Sequence, residues 1–148
     1  MQEINRILVV SRITKNCQES LKYAIALAWK YSAELFVLHI GPDPLELQEL
    51  ESSTVCSNEE LADAFVNAKS TLDGILRCVR VGGLSVTEMI KEGNPVEEIM
   101  KAIGDKEIDC LVLRHPDETR LDHFLFDRIN EELNRQRPCL IMFKEIQL

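Results

Sequence analysis

Two arginines and a histidine stand directly after two apolar runs that are typical of buried strands. Arg12 follows the run Ile7 to Val10, and Arg114-His115 follows the run Cys110 to Leu113. Guanidinium groups bind carboxylates and phosphates through paired hydrogen bonds. If the two strands are neighbours, these residues predict an anion site. Its rim would include Ser11, Arg12, Ile13, Arg114, His115 and Asp117.

The same residues allow a simpler interpretation. Asp117 and Glu118 follow closely after Arg114, and these carboxylates could pair with both arginines. The charges would then only fill the space at the ends of the strands. We favour this ion-pair interpretation, because charged side chains often pair without any function.

No other residues form a recognisable catalytic set. Ser11 lacks the G-x-S-x-G setting of an esterase nucleophile, and no acid and base accompany it at a suitable spacing. His39 ends an apolar run, where a hydrogen-bonded structural histidine is more common than a ligand. His123 stands near Asp122 and Asp127, but a third metal ligand is missing. We therefore predict no enzyme activity, no catalytic residue, no metal and no cofactor.

Composition and charge exclude several classes of partner. The formal net charge of −8 over 148 residues disfavours binding to nucleic acid or to anionic lipid. No apolar run approaches the roughly 20 residues that a membrane span requires, and the polar N-terminus leads into a strand without a signal peptide. The five cysteines form no C-x-x-C pair, which indicates reduced thiols. We expect a cytoplasmic protein with no nucleic-acid partner and no membrane insertion.

Short apolar runs alternate along the chain with stretches of helical periodicity. The runs predict strands at 7–10, 35–40, 84–91, 110–113 and 138–143, of which 84–91 alternates weakly, as in a half-exposed edge strand. The first helical stripe consists of Leu21, Ala24, Ile25, Ala28 and Trp29, and the last consists of Leu121, Phe124, Leu125, Ile129 and Leu133. The order βαβαβαβαβ predicts an α/β fold in one domain over residues 1–148, a three-layer doubly wound sandwich with a five-stranded parallel sheet.

Capping residues mark where the helices begin. Asn16 and Thr119 are suited to cap the first and last helices, and Asn94-Pro95 gives a strong start to the third. The acidic stretch 45–57 has no clear periodicity. It is the best candidate for a mobile loop, which could be either a docking segment or simply irregular.

Four pieces of the sequence together resemble the universal stress protein family. R-I-L-V-V followed by C-Q-E-S-L-K-Y-A-I-A-L-A is similar to the family's first strand and helix, and A-E-L-F-V-L-H-I to its second strand. E-G-N-P-V-E-E-I resembles its G-x-P helix start, and R-P-C-L-I-M-F its final strand. The resemblance covers essentially the whole chain. It implies strand order 3-2-1-4-5 and a homodimer formed through the fifth strands.

The chain departs from the family at the nucleotide site. Nucleotide-binding members carry an Asp directly after the first strand, where this chain has Arg12, and G-x-x-G-x9-G-[ST] after the fourth strand. Counted back from Pro138-Cys139, those motif positions fall on Arg114, Asp117, Asp127 and Arg128. Glycines in such loops let backbone N–H groups approach phosphate, whereas carboxylates repel it. We therefore predict no ATP binding in the family's usual mode.

The predicted fifth strand indicates how the protein associates. Leu140, Ile141, Met142 and Phe143 would form an apolar strand at the outer edge of the sheet. Pairing with a second copy about a two-fold axis would cover it; the alternative is a monomer whose tail, 144–148, shields the edge. The leading interpretation is a non-catalytic stress-response protein that acts as a homodimer through an unidentified protein partner. The alternative is a small-molecule sensor, for an anion or a nucleotide, with a reshaped pocket between strands 1 and 4.

Overall fold

Strands and helices alternate along the chain, as the sequence predicts. The computed structural model describes residues 3–12, 17–41, 46, 48, 58–114 and 120–144. The strands are β1 (Arg6–Ser11), β2 (Glu34–Ile40), β3 (Val86–Lys91), β4 (Cys110–Arg114) and β5 (Leu140–Lys144). The helices within the described ranges are α1 (Cys17–Tyr31), α2 (Asn58–Val81), α3 (Pro95–Lys106) and α4 (Arg120–Gln136).

The strands form one parallel sheet in the order β3-β2-β1-β4-β5. This confirms the predicted fold class and strand order. β1 lies in the middle, with Ser11 opposite His39 of β2 and Ile7 opposite Cys110 of β4. Connections leave β1 and β4 in opposite directions, so a crevice forms at the carboxyl ends of these two strands.

Alternate residues of each strand enter two separate cores, because successive side chains of a strand point to opposite faces. One core lies under α1 and α2 and includes Ile7, Val9, Leu35, Val37, Cys110 and Val112. The other lies under α3 and α4 and includes Leu8, Val10, Phe36, Leu38, Leu111 and Leu113. Burial on both faces explains why β1, β2 and β4 appear in the sequence as continuous apolar runs.

Capping and turn residues explain where α2 ends and where α3 begins. Asn94 caps α3, as predicted, and its side-chain oxygen accepts a hydrogen bond from Glu97 N at 3.1 Å. α2 ends at Gly82-Gly83, where Gly83 has a φ of 103° that favours glycine. Leu84 N donates to Val79 O at 3.1 Å. Leu84 is thus part of the helix end, and β3 begins two residues later than the alternation suggests.

Two helix stripes differ from the prediction. Trp29 is 49% exposed, so the prediction that it belongs to the apolar stripe of α1 is wrong. Its indole lies beside the Gly82 turn, near the end of the helix, where little of the molecule covers it. In α4 the fully buried Phe126 joins Ile129 and Leu133, and the sequence interpretation had missed it. The predicted caps Asn16 and Thr119 lie outside the described residues.

The two edge strands are both partly exposed. Ile90 of β3 is 61% exposed and Leu140 of β5 is 42% exposed. The half-exposed character predicted for the third strand is therefore confirmed. None of the helices in the described part of the chain is long and apolar enough to cross a membrane.

Candidate functional site

Two buried arginines lie at the carboxyl ends of the adjacent strands β1 and β4. Arg12 follows β1 directly, and Arg114 is the last residue of β4. Each of these residues is only 1% exposed, and they are the two largest fully buried side chains among the described residues. Arginine is rarely buried to this degree without a partner. The sequence prediction had placed both at this crevice.

A carboxylate from a distant part of the chain binds Arg12. Its Nη2 lies 2.8 Å from both oxygens of the Glu46 side chain, which is 17% exposed. Arg12 N donates to Cys17 Sγ at 3.4 Å, and Ser11 Oγ donates to Arg12 O at 3.3 Å. These contacts join the end of β1, the first residue of α1 and Glu46 into one polar cluster. We call Ser11, Arg12, Cys17 and Glu46 the Arg12 cluster.

Part of the Arg12 guanidinium remains without a hydrogen bond. Nε and Nη1 are buried and have no hydrogen-bond partner among the described residues. Removing a charged group from water costs several kcal/mol unless it is paired and hydrogen-bonded. Glu46 offsets the charge, and among the described residues it accepts hydrogen bonds from one of the three nitrogens, Nη2.

Arg114 is held by α4. Its guanidinium carbon lies 5.6 Å from the centre of the Phe126 ring, within the range of a cation–π contact. Asn130 Nδ2 donates to the Arg114 carbonyl at 2.9 Å, which ties the middle of α4 to the end of β4. Phe126 and Asn130 were not anticipated, although their spacing of four residues places both on one face of a helix.

The other residues predicted for the site fall in different places. Asp127 and Arg128 lie on the exposed surface of α4, where Asp127 contacts His123 Nδ1 at 3.0 Å. Ile13, His115 and Asp117 lie outside the described residues. The partner of Arg12 in the described structure is Glu46, whereas the ion-pair interpretation had named Asp117 and Glu118. Only the acidic character of the stretch after Pro44 hinted at such a carboxylate.

A second polar cluster lies beside β2 and β3, under α2. His39 Nε2 lies 3.0 Å from Glu88 Oε1, and Lys69 Nζ lies 3.3 Å from the same oxygen. Lys69 also forms an ion pair with Asp73. Arg80 Nη2 lies 3.5 Å from Glu88 Oε2. We call these five residues the His39 cluster.

Burial and charge shift the pKa values in this cluster. Burial lowers the pKa of His39, and the hydrogen bond to Glu88 only partly opposes this effect. Burial by itself would raise the pKa of Glu88, but hydrogen bonds with His39 and Lys69 outweigh burial and lower it. Burial would likewise lower the pKa of Lys69, yet hydrogen bonds to Asp73 and Glu88 raise it. The balance favours a neutral imidazole beside a carboxylate that also binds the Lys69 ammonium group.

Burial also shifts the pKa values of two described cysteines. Burial raises the pKa of Cys110 and of Cys139 to about 11, so both thiols stay protonated at neutral pH. Cys78, Cys110 and Cys139 are free thiols. Within the described ranges, no group of three or more His, Cys, Asp or Glu residues is arranged to hold a metal ion.

Solved structures share this fold. UspA from Lactobacillus plantarum has a TM-score of 0.68 at 20% identity, and the match covers 97% of this chain and 99% of that one. A universal stress protein family member from Burkholderia pseudomallei has a TM-score of 0.66 at 17% identity, with 97% and 98% covered. The universal stress protein from Archaeoglobus fulgidus in complex with dAMP has a TM-score of 0.59 at 14% identity, with 97% and 98% covered.

Sequence similarity identifies the family more directly. No curated protein sequence matches the chain significantly. The sequence model of the universal stress protein family, however, matches residues 3–142, which is nearly the full length. Together with the strand order and the helices on both faces of the sheet, this match shows that the chain belongs to the universal stress protein family.

Proposed function

We propose that this protein is a non-catalytic regulatory member of its family that does not hold ATP in the family's usual mode. It acts in the cytoplasm as a homodimer and works through a protein partner. The observation that carries the proposal is the buried ion pair between Arg12 and Glu46 at the carboxyl end of β1. The family resemblance places the base of a bound nucleotide at that position.

The ion pair opposes nucleotide binding in two ways. The Arg12 side chain is fully buried, so it takes up space that a base would need. Adenine donates hydrogen bonds from its exocyclic amino group, and the Asp that the family resemblance implies here can accept one of them. A guanidinium can only donate, so Arg12 cannot replace that contact. Arg114, buried against Phe126, replaces the first glycine of the phosphate loop and brings a long side chain to the place of a bare backbone.

The homodimer is proposed from the composition of β5. Leu140 is 42% exposed, and Ile141, Met142 and Phe143 are partly exposed on an edge strand. An exposed apolar edge strand invites pairing with another chain. A two-fold axis beside β5 would pair the strand with its own copy and cover these residues.

A second candidate function is a sensor of a small anion or nucleotide. It is favoured by the buried Nε and Nη1 of Arg12, which have no hydrogen-bond partner in the described part of the chain. The Archaeoglobus fulgidus relative in complex with dAMP shows that a protein of this fold can hold a nucleotide. In this alternative, an anionic group would bind Arg12 in competition with Glu46.

Isothermal titration with ATP tests the nucleotide part of the proposal. We expect no saturable binding at millimolar ATP, and none for Arg12→Asp, because the loop glycines would still be missing. The Archaeoglobus fulgidus relative titrated with dAMP serves as a positive control for the measurement. Micromolar binding by the wild type or by Arg12→Asp would contradict the proposal.

Sedimentation analysis tests the dimer. We expect the wild type to sediment at twice the 16.9 kDa chain mass, and Leu140→Asp to sediment as a monomer. The matched control is Ile90→Asp at the opposite edge, which is even more exposed and should leave the dimer intact. Dissociation by Ile90→Asp, or a dimer that survives Leu140→Asp, would contradict an interface through β5.

A further inference from the structure

We propose that the free edge of β3, together with the cleft between β3 and α3, binds an extended acidic peptide segment of a partner protein. The segment would join the sheet as an added strand. This inference rests on the proposed function, because it specifies the chemistry of the protein partner and the surface that receives it.

The backbone of β3 offers regularly spaced hydrogen-bonding groups. Leu35 N donates to Ser85 O at 2.9 Å, and Gly41 N donates to Lys91 O at 3.2 Å. The odd-numbered residues of β3 thus turn their backbone groups towards β2. Because these directions alternate along a strand, Glu88 and Ile90 turn their N–H and C=O groups to the outer edge. No strand in the described part of the chain pairs with that edge.

Side chains near this edge limit where a new strand can pair. Arg80 Nη2 lies 3.4 Å from Val86 O, so a side chain already occupies the first outward carbonyl. The carboxylate of Glu88 is drawn to His39, Lys69 and Arg80, and it leaves the backbone of Glu88 accessible. A short segment paired with Glu88 and Ile90 is the arrangement that fits this edge.

A cleft beside β3 provides a place for one side chain of the segment. Its volume is about 250 Å³, below the range of typical small-molecule sites. Leu38, Met89 and Ala102 give it an apolar floor, and Met89 is half-buried on β3 itself. An aliphatic side chain entering from an added strand would cover this floor, in the way that strand addition usually combines backbone pairing with a side-chain pocket.

The charge around the cleft favours an acidic segment. Its lining includes Lys91, Lys101 and Lys106 against the two carboxylates Glu98 and Asp105. This local excess of positive charge contrasts with the net charge of −8 for the whole chain. Lys91 and Met89 point to the same face of β3, so a carboxylate two residues from the aliphatic side chain would lie near Lys91. Such complementarity gives specificity to an interface.

A synthetic peptide provides the probe. We would use fluorescein-labelled Ser-Asp-Thr-Leu-Thr-Asp-Ser with blocked ends, and a second peptide in which lysines replace both aspartates. We expect the acidic peptide to bind and to shift the backbone amide resonances of Glu88 and Ile90. Fluorescence anisotropy should show that Lys101→Glu weakens binding by about tenfold or more. The matched control is Lys22→Glu on the exposed side of α1, which should bind the peptide like the wild type.

Ile90→Pro tests the backbone pairing separately. It removes one outward N–H, and proline is tolerated on edge strands, so peptide binding should be lost while circular dichroism stays unchanged. If Ile90→Pro does not fold, the amide shifts and Lys101→Glu still decide the question. The inference is overturned by no binding at millimolar peptide, by equal binding of the lysine peptide, or by amide shifts confined to β5. Failure here would leave the nucleotide and dimer tests unaffected, whereas ATP binding would refute the proposed function whatever the peptides do.

Discussion

The Arg12 cluster and the His39 cluster each contain a buried basic side chain, but they satisfy its hydrogen-bonding groups to different degrees. In the His39 cluster, the buried imidazole contacts the carboxylate of Glu88, which is itself bound by Lys69 and Arg80. The Arg12 cluster sets a buried guanidinium against a single described carboxylate, Glu46, and two of its nitrogens lack a hydrogen bond among the described residues.

This difference separates a structural cluster from a candidate site. In the His39 cluster the hydrogen bonds link α2, β2 and β3, and the groups support one another. In the Arg12 cluster, the ion pair with Glu46 is the main described interaction that offsets the cost of burying the Arg12 charge. A cluster of the first kind holds the fold together. A cluster of the second kind depends strongly on one residue and can accept an additional anionic group.

The largest effect is expected from Glu46→Ala. It leaves the Arg12 guanidinium buried without its carboxylate, which should lower the free energy of unfolding by about 3 kcal/mol. Urea unfolding measures this loss. The matched control is Glu107→Ala, which removes the exposed partner of Arg6 and should cost no more than about 0.5 kcal/mol. Equal losses for the two variants would show that the Arg12 pair is not buried in solution.

A smaller effect is expected from Glu88→Ala in the better-compensated cluster. Lys69 keeps Asp73, and the main loss is the hydrogen bond to His39, so we expect unfolding to become easier by about 2 kcal/mol. Urea unfolding under the same conditions as for Glu46→Ala makes the two values comparable. A larger loss of unfolding free energy for Glu88→Ala than for Glu46→Ala would contradict the claim that the Arg12 cluster depends more strongly on a single residue.

The smallest effect is a pH dependence that originates at His39. Its pKa is lowered in the folded state, so the unfolded chain binds more protons as the pH falls below the ordinary histidine value. The contribution of His39 to the free energy of unfolding is therefore fully present above the ordinary histidine pKa. It declines as the pH falls towards the lower pKa of the folded state. His39→Gln should flatten the decline between about pH 7.5 and about pH 5.5, measured by urea unfolding. The control is His123→Gln, an exposed histidine outside the cluster. An unchanged decline in His39→Gln would contradict this origin.

The sequence was a good guide to the fold because local signals and the tertiary structure agree. Buried runs such as Ile7 to Val10 and Cys110 to Leu113 became the strands next to each other in the sheet, and Asn94-Pro95 started α3 as expected. The failures have a physical cause. Trp29 fits the helical period but lies near the end of α1 and is half exposed. Phe126 is fully buried and lies against Arg114, a contact that the helical period alone does not reveal.

The candidate site was harder to predict because its contacts join distant parts of the chain. The sequence placed Arg12 and Arg114 correctly at the ends of adjacent strands. It did not identify Glu46, which is 34 residues from Arg12 and belongs to an acidic stretch whose sequence shows no clear periodicity. Counting positions along a motif also does not reveal which face of α4 a residue occupies, and Asp127 lies on the exposed face.

A native mass spectrum of the protein purified from cells, without added nucleotide, tests the central claim most directly. The account predicts a mass of twice 16.9 kDa with no nucleotide adduct, because it proposes that Arg12 and Glu46 fill the place of the base and that β5 pairs two copies. A dimer that carries ATP or AMP would contradict the account.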